Sequence, residues 1–83
     1  MRYQITWSVP ALDRAAGFLR DDADGVAAVM DTVDELADNP HPDDSLGLGS
    51  DDLRRMQVGR YRIMYEIEHE AAAIAVVHLG RLG

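Results

Sequence analysis

The sequence predicts an α+β domain: an N-terminal strand, a two-helix hairpin, then a three-stranded antiparallel meander, forming a four-stranded sheet with both helices on one face. Three observations predict it. Residues near the start alternate with the period of a strand, and two later segments carry apolar stripes at helical spacing. The second half then holds three apolar runs whose short connections favour antiparallel pairing.

Tyr3, Ile5 and Trp7 alternate with Gln4 and Thr6, which gives the first strand one buried face. Ser8 and Pro10 mark a helix start, because a hydroxyl caps free amides and proline is tolerated in the first turn. Leu12, Ala15, Ala16 and Leu19 form the stripe of that helix, with Phe18 beside it. The cluster Asp21, Asp22, Asp24, Gly25 ends one helix and can cap the next. Val26, Val29, Met30, Val33, Leu36 and Ala37 give the second helix the cleanest stripe in the chain, and Asn39-Pro40 stops it. His41 to Asp52 reads as a long loop by composition, with Leu46 and Leu48 as its points of attachment. Strands are expected over Leu53 to Val58, Tyr61 to Glu68 and Ala72 to Leu79, joined by Gly59-Arg60 and by the His69 to Ala71 region.

All 83 residues are assigned to one domain with one small core. There is no cysteine, which removes disulfides, thiolate nucleophiles and cysteine-based metal sites. The apolar runs are too short to cross a bilayer and Met1 to Trp7 holds no signal-peptide core, so the cytoplasm is the expected compartment. A net charge of −7 argues against a generic nucleic-acid binder. Its distribution is uneven, however. Asp13 to Asp52 holds twelve acids against Arg14 and Arg20, whereas Leu53 to Tyr65 holds four arginines and no acid. Lysine is absent, so every basic side chain is an arginine, a rigid fork of donors that cannot serve as a base near neutral pH. Coding bias is the preferred explanation of the missing lysine, without any functional meaning.

Strand parity places those arginines. With Met56, Val58, Ile63, Tyr65 and Ile67 facing the helices, Leu53, Arg55, Gln57, Arg62, Met64 and Glu66 fall on the face the helices leave open. Arg54 has inward parity, at the start of the sheet or snorkelling round its edge, and Arg60 sits in the turn. Tyr61 and Tyr65 belong to the core. Glu66 and Glu68 share the face of Arg62 and would repel phosphate. The orientation of His78 stays open, because Ala71 to Leu79 is apolar on both faces. His41 reads as a surface residue, and three scattered histidines make no metal site.

The segment LRRMQVGRYRIMYEI, taken with Trp7-Ser8, Ala11-Leu12, Leu36 to Pro40 and Val76 to Arg81, resembles the RelE/ParE superfamily, the small toxins of bacterial type II toxin-antitoxin systems. The resemblance spans nearly the whole chain. It implies a toxin neutralised by a cognate antitoxin. In the RelE-like branch it implies cleavage of mRNA in the ribosomal A site, with the RNA 2′-hydroxyl attacking the adjacent phosphate and no metal or other cofactor.

Carried over by position, Arg55 matches the first basic residue of the family's middle-strand pair, and Gln57 stands where the second would be. Arg62 matches the arginine that binds phosphate and stabilises the transition state. After Gly80 and Arg81, Leu82 replaces the family's second arginine, and the tail tyrosine is missing. The expected catalytic set is therefore Arg55, Arg62 and Arg81, with His78 or a ribosomal group handling protons. Arg54, Gln57 and Arg60 are expected to contact RNA, and Leu53 and Met64 to contact antitoxin. The gaps keep two alternatives in view: a ParE-like inhibitor of DNA gyrase, and an attenuated toxin that acts only by binding antitoxin.

Overall fold

The computed structural model describes residues 2–82. Strand β1 (Gln4–Trp7) leads into helices α1 (Val9–Leu19) and α2 (Ala23–Leu36). A long connection containing β2 (Leu46–Gly47) precedes β3 (Leu53–Val58), β4 (Tyr61–Glu68) and β5 (Ala73–Arg81). These strands form one mixed sheet of five in the order β1-β5-β4-β3-β2.

The meander β3-β4-β5 is antiparallel as expected. The sheet departs from the four-stranded expectation in its edges. β1 lies parallel to β5, with Ile5 beside Ile74, because the helical hairpin carries the chain across the sheet before the meander begins. At the opposite edge the loop folds back, so that Leu46 pairs with Arg55 and Gly47 with Arg54. Glycine suits that turn back, since a Cβ at Gly47 would stand 2.9 Å from the Ser50 carbonyl oxygen. β5 begins one residue later than the apolar run suggests, after Ala72 turns at φ 49°, and continues to Arg81.

Both helix starts follow from short polar residues. Ser8 Oγ accepts the Ala11 N–H at 3.2 Å and Asp22 Oδ1 accepts the Gly25 N–H at 3.1 Å, each satisfying an amide of the first turn. α2 buries Val26, Val29, Val33 and Leu36. Met30 belongs to the same apolar stripe yet lies at its flank, 42% exposed. In α1 the buried pair is Ala11 and Ala15, which lets the helix backbone approach β5; Leu12 and Leu19 are left half-exposed.

The core lies between these helices and the inward residues Met56, Tyr61, Ile63, Tyr65, Ile67, Ile74, Val76 and Leu79, with Ile5, Trp7, Phe18 and Val58 at its margin. Two buried tyrosines bring hydroxyls that need partners. Tyr61 donates to Asp22 Oδ2 at 2.7 Å, and Tyr65 donates to the Pro40 carbonyl at 2.8 Å. Each therefore ties the sheet to one end of α2.

Candidate functional site

The helix-free face of the sheet is organised in two rows. Leu46, Arg55, Met64 and His78 stand side by side across β2, β3, β4 and β5; Gln57, Arg62 and Gly80 form the next row. Arg62 is thus the diagonal neighbour of both Arg55 and His78, a separation of roughly 7–8 Å between backbones and within reach of long side chains. The parity reading of Leu53, Arg55, Gln57, Arg62 and Met64 holds, and Leu53 and Met64 are half-buried among them.

His78 reaches this face through a bulge. Ile63 pairs with Leu79 and Met64 with His78, but Tyr65 pairs with Val76, so Val77 is an extra residue. Without it, Val76 and Leu79 would point to opposite faces. With it, both are fully buried and His78 projects outward. The imidazole then leans over Gly80, its Nε2 3.1 Å from where a Cβ at that glycine would stand. Because Gly80 is the cross-strand partner of Arg62, the ring occupies the place of a side chain facing that arginine.

Arg55 and Arg62 make no hydrogen bond or ion pair with any of the described residues, and the Nε of Arg62 is buried without a partner. A groove of about 260 Å³ runs beside them, lined by Asp44, Leu46, Arg55, Met56, Gln57 and Arg62. Two guanidinium groups, an imidazole and an open groove can hold a phosphodiester and exchange a proton with a hydroxyl beside it.

Three arginines expected at this site lie elsewhere. Arg54 points inward and is mostly buried. Its Nε donates to Ser45 Oγ at 2.8 Å and its terminal nitrogens donate to the carbonyls of Asp51 and Ser45, so it pins the loop to β3. Arg60 lies on the helix side, 3.3 Å from Asp22 Oδ2. Arg81 pairs with Tyr61 on the inward face; it forks onto Asp21 at 2.8 and 3.4 Å and covers the Phe18 ring at 4.5 Å. The extra residue at Val77 and the continuation of β5 past Leu79 give Arg81 that parity. Gln57 is on the open face, but its amide donates to the Gly59 carbonyl at 2.9 Å and closes its own hairpin. Nor are the histidines all scattered: His41 and His69 stack with ring centroids 5.8 Å apart.

A family model described as the ParE toxin of type II toxin-antitoxin system, parDE, matches residues 7–81. The chain belongs to the ParE toxin family. No curated protein matches it. Among solved structures, this ParE-family chain is similar to the RelBE2 toxin-antitoxin complex of Mycobacterium tuberculosis, with TM-score 0.80 and 17% identity over 98% of this chain and 92% of that one. It is similar to a YoeB/ParE toxin from Agrobacterium tumefaciens, with TM-score 0.80 and 16% identity over 96% and 98% of the two chains. It is also similar to the archaeal RelE-RelB complex of Pyrococcus horikoshii, with TM-score 0.78 and 22% identity over 100% and 98%. At these identities the likeness concerns the fold.

Within this ParE-family fold a second polar cluster joins the turn between the helices to the sheet. Asp22 accepts from Tyr61, Gly25 and Arg60, and the Tyr61 hydroxyl, first among these, holds its carboxyl below the ordinary carboxylate value. The Arg81 hydrogen bond does the same for Asp21, and Asp21 in turn raises Arg81. Nothing in the linear sequence joins these residues except the acidic run before Gly25. The cluster neutralises Arg60 and Arg81, while Arg55 and Arg62 have no such partner among the described residues.

Proposed function

We propose that this chain is the toxin of a type II pair and that it cleaves RNA on its helix-free face, the substrate being message held in the ribosomal A site. The observation that carries this reading is the grouping of Arg62 with His78 and Arg55, where neither arginine has a carboxylate partner among the described residues and Arg62 Nε is buried without one. In the reaction the RNA 2′-oxygen attacks the adjacent phosphorus while His78, as neutral imidazole, accepts its proton. A 2′-O–P bond forms and the P–O5′ bond breaks. Arg62 and Arg55 donate to the non-bridging oxygens as charge develops there. The leaving 5′-oxygen takes a proton from the imidazolium or from a ribosomal group, so that the products are a cyclic phosphate and a free 5′-hydroxyl.

The M. tuberculosis and P. horikoshii structures named above are toxin-antitoxin complexes, and the same face suits an antitoxin here. Leu53, Met64 and the exposed Leu46 offer apolar contact beside two guanidiniums that have no carboxylate partner among the described residues, which fits a segment presenting carboxylates and apolar side chains.

Inhibition of DNA gyrase is the second reading. Gln57 and the Asp21-bound Arg81 favour it, since two positions expected to be basic contribute no free cation to the face. Mapping cleavage products on ribosome-bound message, alongside a supercoiling assay on the same antitoxin-free preparation, tests the proposal. Cleavage without supercoiling inhibition is expected; inhibition without cleavage would replace this reading with the second.

A further inference from the structure

The far end of the sheet from Gly80 gathers residues from three separate connections. His41 lies in the loop after α2, Asp52 immediately precedes β3, and His69 opens the turn between β4 and β5. Their ligating atoms all lie within 4.8 Å of one another, and all three residues are exposed.

Each is held in place by contacts other than the cluster itself. The Asp52 carbonyl accepts the Ile67 N–H at 2.7 Å, which fixes the residue beside the end of β4. The His69 carbonyl accepts the Ala72 N–H at 3.1 Å and closes its turn. His41 is flanked by Pro40 and Pro42, whose rings restrict the backbone, and its N–H is bound by Asn39 Oδ1 at 3.3 Å. The backbones that carry the three side chains are therefore largely fixed before a ligand arrives.

The imidazole of His69 has a particular environment. Its Nε2 is 2.9 Å from Asp52 Oδ1, and its Nδ1 is 2.9 Å from the Tyr3 hydroxyl. Tyr3 is itself anchored, partly buried against the core and with its N–H on the Ala37 carbonyl at 2.8 Å. A tyrosine oxygen both donates and accepts. It therefore suits the tautomer in which Nε2–H donates to Asp52, and equally the one in which Nδ1–H donates to Tyr3 and Nε2 offers its lone pair. The second arrangement is that of a metal-bound histidine, whose other ring nitrogen is fixed by an outer hydrogen bond.

We infer that His41, Asp52 and His69 form a binding site for a borderline divalent transition ion, Zn²⁺ in the first instance. Two imidazoles and one carboxylate without thiolate match that class of ion, and water completes a tetrahedron. At Zn–N and Zn–O distances of about 2.0–2.2 Å, tetrahedral donors stand roughly 3.3 Å apart. The cluster needs only a small contraction from its present 4.8 Å limit to reach that. The site lies outside the groups assigned to RNA cleavage and does not depend on that assignment. Its ligands bracket the loop at residues 41 and 52 and tie both ends to the β4–β5 turn. Occupancy would stiffen the segment whose Asp44 and Leu46 rim the groove beside Arg55.

Calorimetric titration of ZnCl₂ into tag-free, chelator-stripped protein tests the site, with amide exchange measured on the same samples. Saturable binding of one ion per chain is expected, at least tenfold weaker in His41→Ala and, separately, in His69→Ala, with slowed exchange across residues 43–50. Both imidazoles are exposed, so the substitutions spare the core, and circular dichroism checks that they do. Absence of saturable binding would overturn the inference. So would an affinity that survives both substitutions, which places the ion on surface carboxylates, or one lost in His78→Ala, which places it on the open face.

Discussion

Arg62 stands opposite Gly80 across the β4–β5 ladder, and the missing side chain at Gly80 leaves the space that the His78 ring fills. Gly80→Ala would put a methyl group 3.1 Å from His78 Nε2 and displace the ring away from the arginine. Since His78 is a surface side chain that can swing, stability should change by less than about 1 kcal/mol. Cleavage of ribosome-bound message should fall by roughly a hundredfold, the scale of a displacement near 1 Å of a reacting group. Urea melts and single-turnover cleavage on the same variant separate the two effects.

Gly25 supports the turn between the helices by the same logic, with the opposite consequence. A Cβ there would meet the Tyr61 ring at 2.8 Å and collide with the Asp22 carboxylate that caps α2. The ring is buried and cannot swing away. Gly25→Ala should therefore cost about 2–4 kcal/mol, combining overpacking with a damaged cap. A urea midpoint equal to that of the parent chain would refute this account of the turn.

The Asp21 and Asp22 carboxyls are both held below the ordinary carboxylate value in the folded chain. A lowered folded pKa means that the unfolded chain binds the proton more tightly, so stability rises with pH through the interval between the two values. The contribution is complete above the unfolded value of about 3.9 and is lost as pH falls below it towards the folded values. Asp22→Asn retains a side-chain oxygen for capping but removes the charge that Tyr61 and Arg60 face. It should lower stability at neutral pH and flatten the stability profile below about pH 4. Thermal melts from pH 3 to pH 7 read both features, and parallel profiles for variant and parent would contradict the assignment.

The pattern of the open face was legible because strand parity depends only on alternation, and Arg55, Gln57, Arg62 and Met64 alternate with residues that clearly belong inside. The helical stripes located both helices, and the buried face of α2 apart from Met30, but not the buried face of α1. Ala11 and Ala15 of α1 are buried while Leu12 is half-exposed, because small residues permit close packing of the helix, a preference that hydropathy does not register. The position of His78 was not legible. The extra residue is Val77, next to the identical Val76, and the two apolar side chains give no sign of which one faces inward. The same bulge governs Arg81, which pairing with Tyr61 turns toward Asp21 and away from Arg55, Arg62 and His78. β2 was missed because two residues in a glycine- and aspartate-rich loop carry no period, and the His41, Asp52, His69 cluster because its members meet only through the sheet register.

Gln57 is the cross-strand partner of Arg62, and its amide is spent on the Gly59 carbonyl. Gln57→Lys would put a cation in that row and should raise message cleavage severalfold if the target is RNA on this face. A phosphate about 4 Å from the new ammonium gains roughly 1–4 kcal/mol in the surface range of effective dielectric, shared between binding and transition state. Unchanged cleavage together with unchanged binding to ribosomes would contradict the placement of RNA in this groove.

The most direct measurement is cleavage of ribosome-bound message by Arg62→Ala and Arg62→Lys, compared with the parent chain after removal of antitoxin. Arg62 projects from the helix-free face, so both variants should melt like the parent. Cleavage by Arg62→Ala should fall by about 10²–10³, the scale for loss of one donor aimed at developing negative charge. Arg62→Lys should recover little, because a single ammonium cannot reproduce two forked donors. Folded Arg62→Ala that cleaves message at the parental rate would contradict the claim that this arginine carries the chemistry of the open face.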